Sequence, residues 1–392
     1  MIDRSERDRH LRERIDAMYD ELTDGRRLAL RVAELVNAAA DRFPDVVPSR
    51  EAMDAERRRR QKDKVGLEID QGMFIAHVLA RPDLGGHLLH SMAQPRPEAL
   101  EGLDEFRRSG AVDLGPMRVD RVGVVGYVTI QNHAVLNAED DASTGAMEVA
   151  IDLVLLDDSI EVGVLRGGPA THPKYAGRRI FGSGVNLTHL YHGRISLIEF
   201  MIERELGGVT KMYRGHALGE AGAGALEDRR EKPWIAAVET FAIGGACQWL
   251  LVMDRVLAET GSYFNLPARK EGIIPGAANL RLPRFVGERA ARQAIFFNRE
   301  FPADSTEGRL LADEVVAGDA MAAAIEDAAA ELTSAGMTSL IANRRALRVG
   351  QEPLERFRRY MSHYALAQAH CLYSPALIAN LERNWDAKRR AL

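Results

Sequence analysis

Two glycine turns are the residues best suited to chemistry in this chain: Gly182-Ser183-Gly184-Val185 and Gly244-Gly245. Glycine lets backbone come close to a ligand. The first N–H groups of a helix lack partners and sit at its positive dipole end. Each turn precedes a stretch of helical character. Two N–H groups from separate turns suit a negative charge developing on oxygen, as in a thioester enolate. A plain tight strand-to-helix turn uses the same residues, so the glycines alone leave both readings open.

The surrounding elements must position these turns. An apolar run of strand character at 234–238 leads through Phe241-Ala242-Ile243 into the second turn, and 247–256 reads as the helix behind it. Upstream, 119–131 is rich in β-branched residues and reads as a strand, as does 160–166. Helices are expected at 146–156 and 195–206, and a short β-rich piece at 262–266. Strands alternating with helices imply an α/β fold. Residues 1–115 read as helical, with segments at 30–40, 51–64, 66–80 and 86–92. The chain is helical again at 288–297, 320–332 and 353–373, the last with Phe357, Tyr360, Met361, Tyr364 and Ala365 at helical spacing. The expected organisation is a helical N-terminal domain (1–115), an α/β core (116–300) and a C-terminal helical region (301–392).

Composition limits the function classes. The chain has 392 residues, 46% hydrophobic and 28% charged, enough to bury a substantial core. A net charge of −5 argues against general nucleic-acid binding, and the run Arg57 to Arg60 reads as a solvated face. The charged start lacks a signal-peptide core, and no apolar stretch is long enough to span a membrane. The expectation is a soluble cytoplasmic protein. Cys247 and Cys371 form neither a metal-type spacing nor a disulfide framework. His189 and His192 have no acid to complete a metal set, so no metal site is expected. Cys247 has no histidine nearby in sequence and reads as a small hydrophobe.

Taken together, several strings resemble the crotonase (enoyl-CoA hydratase/isomerase) superfamily. They are 124–131 with Leu136-Asn137-Ala138, Val162-Gly-Val-Leu-Arg166, Phe181-Gly-Ser-Gly-Val-Asn-Leu187, 232–245, and Glu271-Gly-Ile-Ile-Pro-Gly-Ala277. They occur in the family's order over roughly 119–300. The resemblance implies a crotonase-type spiral of ββα units, an acyl-CoA substrate, and an oxyanion hole from the N–H groups of Val185 and Gly245. It also implies a homotrimer or homohexamer.

The departures are informative. Hydratases of this family carry glutamates where this chain has Gln248 and Ala268. An amide cannot cycle protons near neutral pH, and alanine cannot at all. Water addition is therefore not expected, while the enolate cradle persists.

Gln248, the string 267–282, the 195–206 segment and the helical N-terminal extension are similar to the cofactor-independent arylacetyl-CoA dioxygenase branch of that superfamily. That branch acts on 3,5-dihydroxyphenylacetyl-CoA in the dihydroxyphenylglycine pathway of antibiotic biosynthesis. It uses O2 with no metal, flavin or haem. The resemblance implies polar contacts to the substrate ring from Glu139, Arg204 and Gln248, and an O2 pocket at Leu187, Ala268 and Ile273. It implies substrate or CoA contacts at His133, His172, Lys174, Tyr175, Gly184, Asn186, Gly244 and Ala246. Other expectations remain: a family hydrolase or isomerase, or a catalytically silent acyl-CoA-binding protein. The group that takes the α-proton is not identified by the sequence.

Overall fold

Strand Trp234–Val238 lies inside the main sheet, and all five of its residues are buried. A strand covered on both faces reads as a continuous apolar run, as this one does. In the computed structural model, which describes residues 3–217, 219, 229–390 and 392, this strand pairs in parallel with Val162–Gly167 and Arg255–Glu259. The order across the seven-stranded sheet is Ala111–Asp113, Met117–Val122, Val125–Ile130, Val162–Gly167, Trp234–Val238, Arg255–Glu259, Glu314–Val316. The first three strands form an antiparallel meander and the others run parallel. Gly163 makes room for the Trp234 ring, which a Cβ there would overlap.

A second, three-stranded sheet holds the glycine turns. In it Phe241–Ile243 pairs in parallel with Tyr263–Asn265, which pairs with Phe301–Pro302. The expected alternation of strands and helices is therefore present; strands Ala111–Asp113, Phe301–Pro302 and Glu314–Val316 come from the flanks expected to be helical, and three elements within 116–300 differ locally. The expected strand at 119–131 is a hairpin, broken where Gly123 turns at φ 58°. The expected helix at 247–256 stops after Gly245–Leu250. Asp254 then exchanges hydrogen bonds with the Trp234 backbone, and 255–259 becomes strand. The expected helix at 195–206 is wound as two π turns, Leu197–Ile202 and Glu205–Val209, with Arg204 between them. Single π turns inside helices occur mostly at functional sites because they re-aim side chains.

The two helical ends share one core. Helix Leu67–Ala80 packs on Leu354–Leu372, and Gly72 permits the approach: a Cβ there would lie 2.9 Å from the Ala365 carbonyl oxygen. Leu35, Phe74, Leu88, Phe357 and Met361 join the π-helical residues Ile198, Met201 and Leu206 in this cluster. Glu68 accepts the Leu197 N–H at 2.8 Å, capping the first π turn from the N-terminal layer.

Glu352, fully buried, anchors the C-terminal layer. It accepts from Arg281 at 3.0 Å, Arg284 at 3.1 Å and Arg214 at 3.2 Å. Burial alone would raise its pKa, but the three guanidiniums pull it down to about 2. This carboxyl therefore contributes stability above its unfolded pKa near 4.5, and that contribution is lost as pH falls toward 2. Glu352→Gln should cost about 3 kcal/mol in urea unfolding at pH 7 by stranding buried arginines. Its urea midpoint should also fall less steeply than the wild type's between pH 6 and 3. Equal slopes would remove Glu352 as an acid-sensitive anchor.

Candidate active site

The first turn is fixed by one parallel bridge between Glu139 and Val185. The Glu139 N–H donates to the Gly184 oxygen and the Asn186 N–H to the Glu139 oxygen, both at 2.7 Å. In that pattern the Val185 N–H points away from Glu139. Gly184 has φ 81°, and a Cβ there would lie 2.9 Å from the Ile243 oxygen and 3.2 Å from the Gly245 nitrogen. The two turns therefore stand against one another. Gly244, at φ 55° and ψ −119°, adopts a backbone open to glycine alone. Its N–H donates to the Asn265 oxygen at 2.8 Å, and Gly245 begins the next helix. Neither the Val185 nor the Gly245 N–H has an acceptor among the described residues.

Both residues line a cavity of about 30 Å³. Its wall also includes Glu139, Arg204, Gly244, Gln248, Ala268 and Ile273. Eight of the sixteen site residues expected from sequence thus converge, although they are spread over more than 130 positions.

Arg204 organises the polar wall. Its Nη2 donates to Glu139 Oε1 at 3.2 Å and to the Gly245 carbonyl oxygen at 2.7 Å, while its Nε pairs with the other Glu139 oxygen. Its Nη1 donates to Glu205 at 2.8 Å and to the Gln248 oxygen at 3.1 Å. The guanidinium lies over Trp249, 4.6 Å from the ring, and Trp249 Nε1 donates to Glu139 at 3.0 Å. Burial works against the charge, but Glu139 and Glu205 outweigh it and hold the Arg204 pKa above its ordinary value. A second cavity of about 10 Å³, lined by Met117, Ser143, Thr144 and Met147, lies against the same Glu139–Arg204 pair.

The other expected positions differ in place. Leu187 does not line the main cavity; it packs, partly buried, on the helical core. Asn186 uses its carboxamide to cap helix Leu187–Tyr191, accepting the His189 N–H at 3.1 Å, so it is a positioning group. Ala246 packs under the first turn, against Gly182. His133, His172, Lys174 and Tyr175 lie outside the cavity wall. Tyr175 anchors their loop by stacking edge-on against Phe241 at 5.6 Å. The two histidines once weighed as a pair have separate partners: His189 meets Asp140 at 3.3 Å and His192 the Arg390 oxygen at 3.0 Å. Cys247 is buried, which pushes its thiol up to about 12 and leaves it a packing residue.

Sequence reasoning missed part of the wall: Phe200, Met201, Glu205, Glu271 and Tyr364. Glu271 had a legible signal, standing three residues after Ala268 and so one helical turn on. Tyr364 had none, because only packing of helix Leu354–Leu372 brings it there. Tyr360 donates to the Gly276 oxygen and Gln368 accepts the Ile274 N–H at 2.8 Å, so this helix also holds the 268–276 wall.

Replacing Arg204 by methionine keeps most of its volume but strands the Glu139 and Glu205 carboxylates. Urea unfolding should show a loss of about 3–5 kcal/mol. A loss below about 1 kcal/mol would mean the network is not the structural centre of the site.

A family model described as enoyl-CoA hydratase/isomerase matches residues 225–364. The chain is 46% identical over 378 residues to the (3,5-dihydroxyphenyl)acetyl-CoA 1,2-dioxygenase of Amycolatopsis orientalis, covering 96% of this chain and 86% of that one. It is 26% identical over 242 residues to a short-chain-enoyl-CoA hydratase of Clostridium acetobutylicum, covering 62% and 84%. Among solved structures, Pseudomonas aeruginosa OdaA superposes with a TM-score of 0.57 at 20% identity, covering 69% of this chain and 98% of that one, a likeness in fold.

Proposed function

The chain belongs to the enoyl-CoA hydratase/isomerase family, and on that premise we propose that it is a cofactor- and metal-independent dioxygenase of an arylacetyl-CoA thioester. The substrate is 3,5-dihydroxyphenylacetyl-CoA, the compound named for its 46%-identical relative. One observation carries this reading. The cavity keeps two unpaired N–H groups, at Val185 and Gly245, while Gln248 and Ala268 stand where the family's hydratases have acids.

The chemistry follows from those residues. Loss of a proton from the α-carbon gives an enolate whose oxygen sits between the Val185 and Gly245 N–H groups. The electron-rich aryl ring makes that carbanion able to pass an electron to O2 directly. Recombination forms a peroxide at the α-carbon, and its terminal oxygen attacks the thioester carbonyl. Cleavage of the O–O and C–S bonds and loss of the second α-hydrogen yield an arylglyoxylic acid and CoASH. Substrate plus O2 accounts for every atom. Glu139, Arg204 and Gln248 orient the ring hydroxyls. Ala268 and Ile273, with Leu266 and Ile274 on the same wall, give O2 an apolar space, and Leu187 backs it from the helical core.

The CoA arm leaves past His133 and the His172, Lys174, Tyr175 loop, with Gly184, Asn186, Gly244 and Ala246 shaping the turns it passes. Residues 116–300 serve as the catalytic core, and 1–115 with 301–392 as its helical cover. The working form is a cytoplasmic homotrimer or homohexamer that uses no metal, flavin or haem. Among the described residues no helix is long and apolar enough to cross a membrane.

An oxygen electrode tests the reading. Chelator-treated protein given 3,5-dihydroxyphenylacetyl-CoA should take up one O2 for each CoA released, and release none under nitrogen. CoA release unchanged under nitrogen would make it a hydrolase, and binding without turnover a silent binder. Gly245→Pro, which removes one cradle N–H, should lower kcat about 100-fold or more while circular dichroism stays native. Full activity in that variant would contradict the oxyanion assignment.

A further inference from the structure

The group that takes the α-proton must reach the cavity, must be a base near neutral pH, and must not be committed elsewhere. Five ionisable side chains line that cavity: Glu139, Arg204, Glu205, Glu271 and Tyr364. Glu139 is held by both Arg204 and Trp249. Glu205 accepts from Arg204 at 2.8 Å and from the Ala277 N–H at 3.1 Å, with Arg281 behind it at 3.8 Å. Both carboxylates are thus already committed to charge-assisted hydrogen bonds. Arg204 stays charged. Tyr364 is fully enclosed, and burial followed by the nearby Glu205 carboxylate keeps its hydroxyl protonated, well above its ordinary pKa.

Glu271 differs from all of these. Its backbone N–H closes the short helix on the Pro267 oxygen at 3.0 Å, while its carboxylate has no hydrogen bond or ion pair among the described residues. It is partly accessible and ends the short helix Ala268–Glu271, whose first residue fills the family's acid position. Helix Pro375–Trp385 fixes that segment. Asn384 donates to the Lys270 oxygen at 3.0 Å, and Gly272, at φ 93°, lets the turn sit on Leu377.

We propose that Glu271 is the general base of this site, removing the α-proton of the bound arylacetyl thioester. The inference rests on the reading above. The Cα–H bond breaks and its electron pair becomes the enolate, with the charge on the thioester oxygen at Val185 and Gly245. The proton passes to a Glu271 carboxylate oxygen, and is delivered to the CoA thiolate when the C–S bond breaks. A carboxylate lost at position 268 is thereby replaced one helical turn along.

Burial pushes the Glu271 carboxyl up to about 7, with Lys270 opposing the rise. The charged or titratable groups facing it are Glu139, Arg204, Glu205 and Tyr364 across the cavity, Arg281 behind Glu205, and Lys270 beside it. Helix Pro375–Trp385 contributes the neutral amides of Asn380 and Asn384.

The test is exchange of the α-hydrogens of 3,5-dihydroxyphenylacetyl-CoA in D2O under nitrogen, followed by mass spectrometry. Wild-type protein should catalyse exchange, and the rate should fall as pH drops below about 7. Glu271→Gln should slow exchange about 100-fold or more and lose that inflection, with the substrate Kd within about 3-fold of wild type. Glu271→Asp should recover part of the rate. Exchange by Glu271→Gln within about 3-fold of wild type would overturn the assignment. Oxygen uptake is read separately. Exchange by the wild type without O2 uptake would overturn the dioxygenase reading, and the same variants would still decide the role of Glu271. O2 uptake without exchange would overturn the base alone.

Discussion

The site depends on one buried charge. Arg204 is almost wholly buried, so every donor it carries needs an acceptor within the fold. It finds Glu139 at the end of the first turn's bridge, the Gly245 carbonyl of the second turn, Gln248 on the helix behind it, and Glu205 beside itself. Residues far apart in sequence are thereby fixed relative to one another. The π winding on both sides of Arg204 is the backbone counterpart of this demand, placing it and Glu205 toward the cavity from one segment. The ion pair need not add net stability over an apolar substitute. What it supplies is position, on which an oxyanion cradle depends more than on strength.

The helical ends complete the enclosure. Tyr364 lines the cavity, Gln368 and Tyr360 fix its 268–276 wall, and Asn380 and Asn384 hold the helix that carries Glu271. The N-terminal layer grips the same parts from behind, through Glu68 on the first π turn and Gly72 against Ala365. Packing of these helices limits access to the cavity, and exclusion of water strengthens polar interactions.

Much of this was readable from residue types. The glycines at 184 and 244 are needed for positive φ, and that need is visible in the sequence because few other residues tolerate it. The central strand was legible because burial on both faces demands an unbroken apolar run. Boundaries were less legible: 247–256 is apolar throughout, and only the pairing of Asp254 with Trp234 decides that the helix stops. The π turns were hidden because widening a helix leaves its apolar spacing nearly unchanged. Tyr364 and Glu205 escaped because their importance lies in which neighbours they have, a property of the packed chain, whereas Glu271 was signalled by its spacing from Ala268. The capping role of the Asn186 carboxamide is likewise a property of the packed chain.

The proposed reaction of the enolate with oxygen takes no oxygen atom from water. Isotopic oxygen tests it most directly. Turnover of 3,5-dihydroxyphenylacetyl-CoA under ¹⁸O2 in ordinary water, quenched promptly, should give an arylglyoxylate carrying two ¹⁸O atoms, one on the ketone and one on the carboxylate. A product whose carboxylate oxygen comes from water would contradict it.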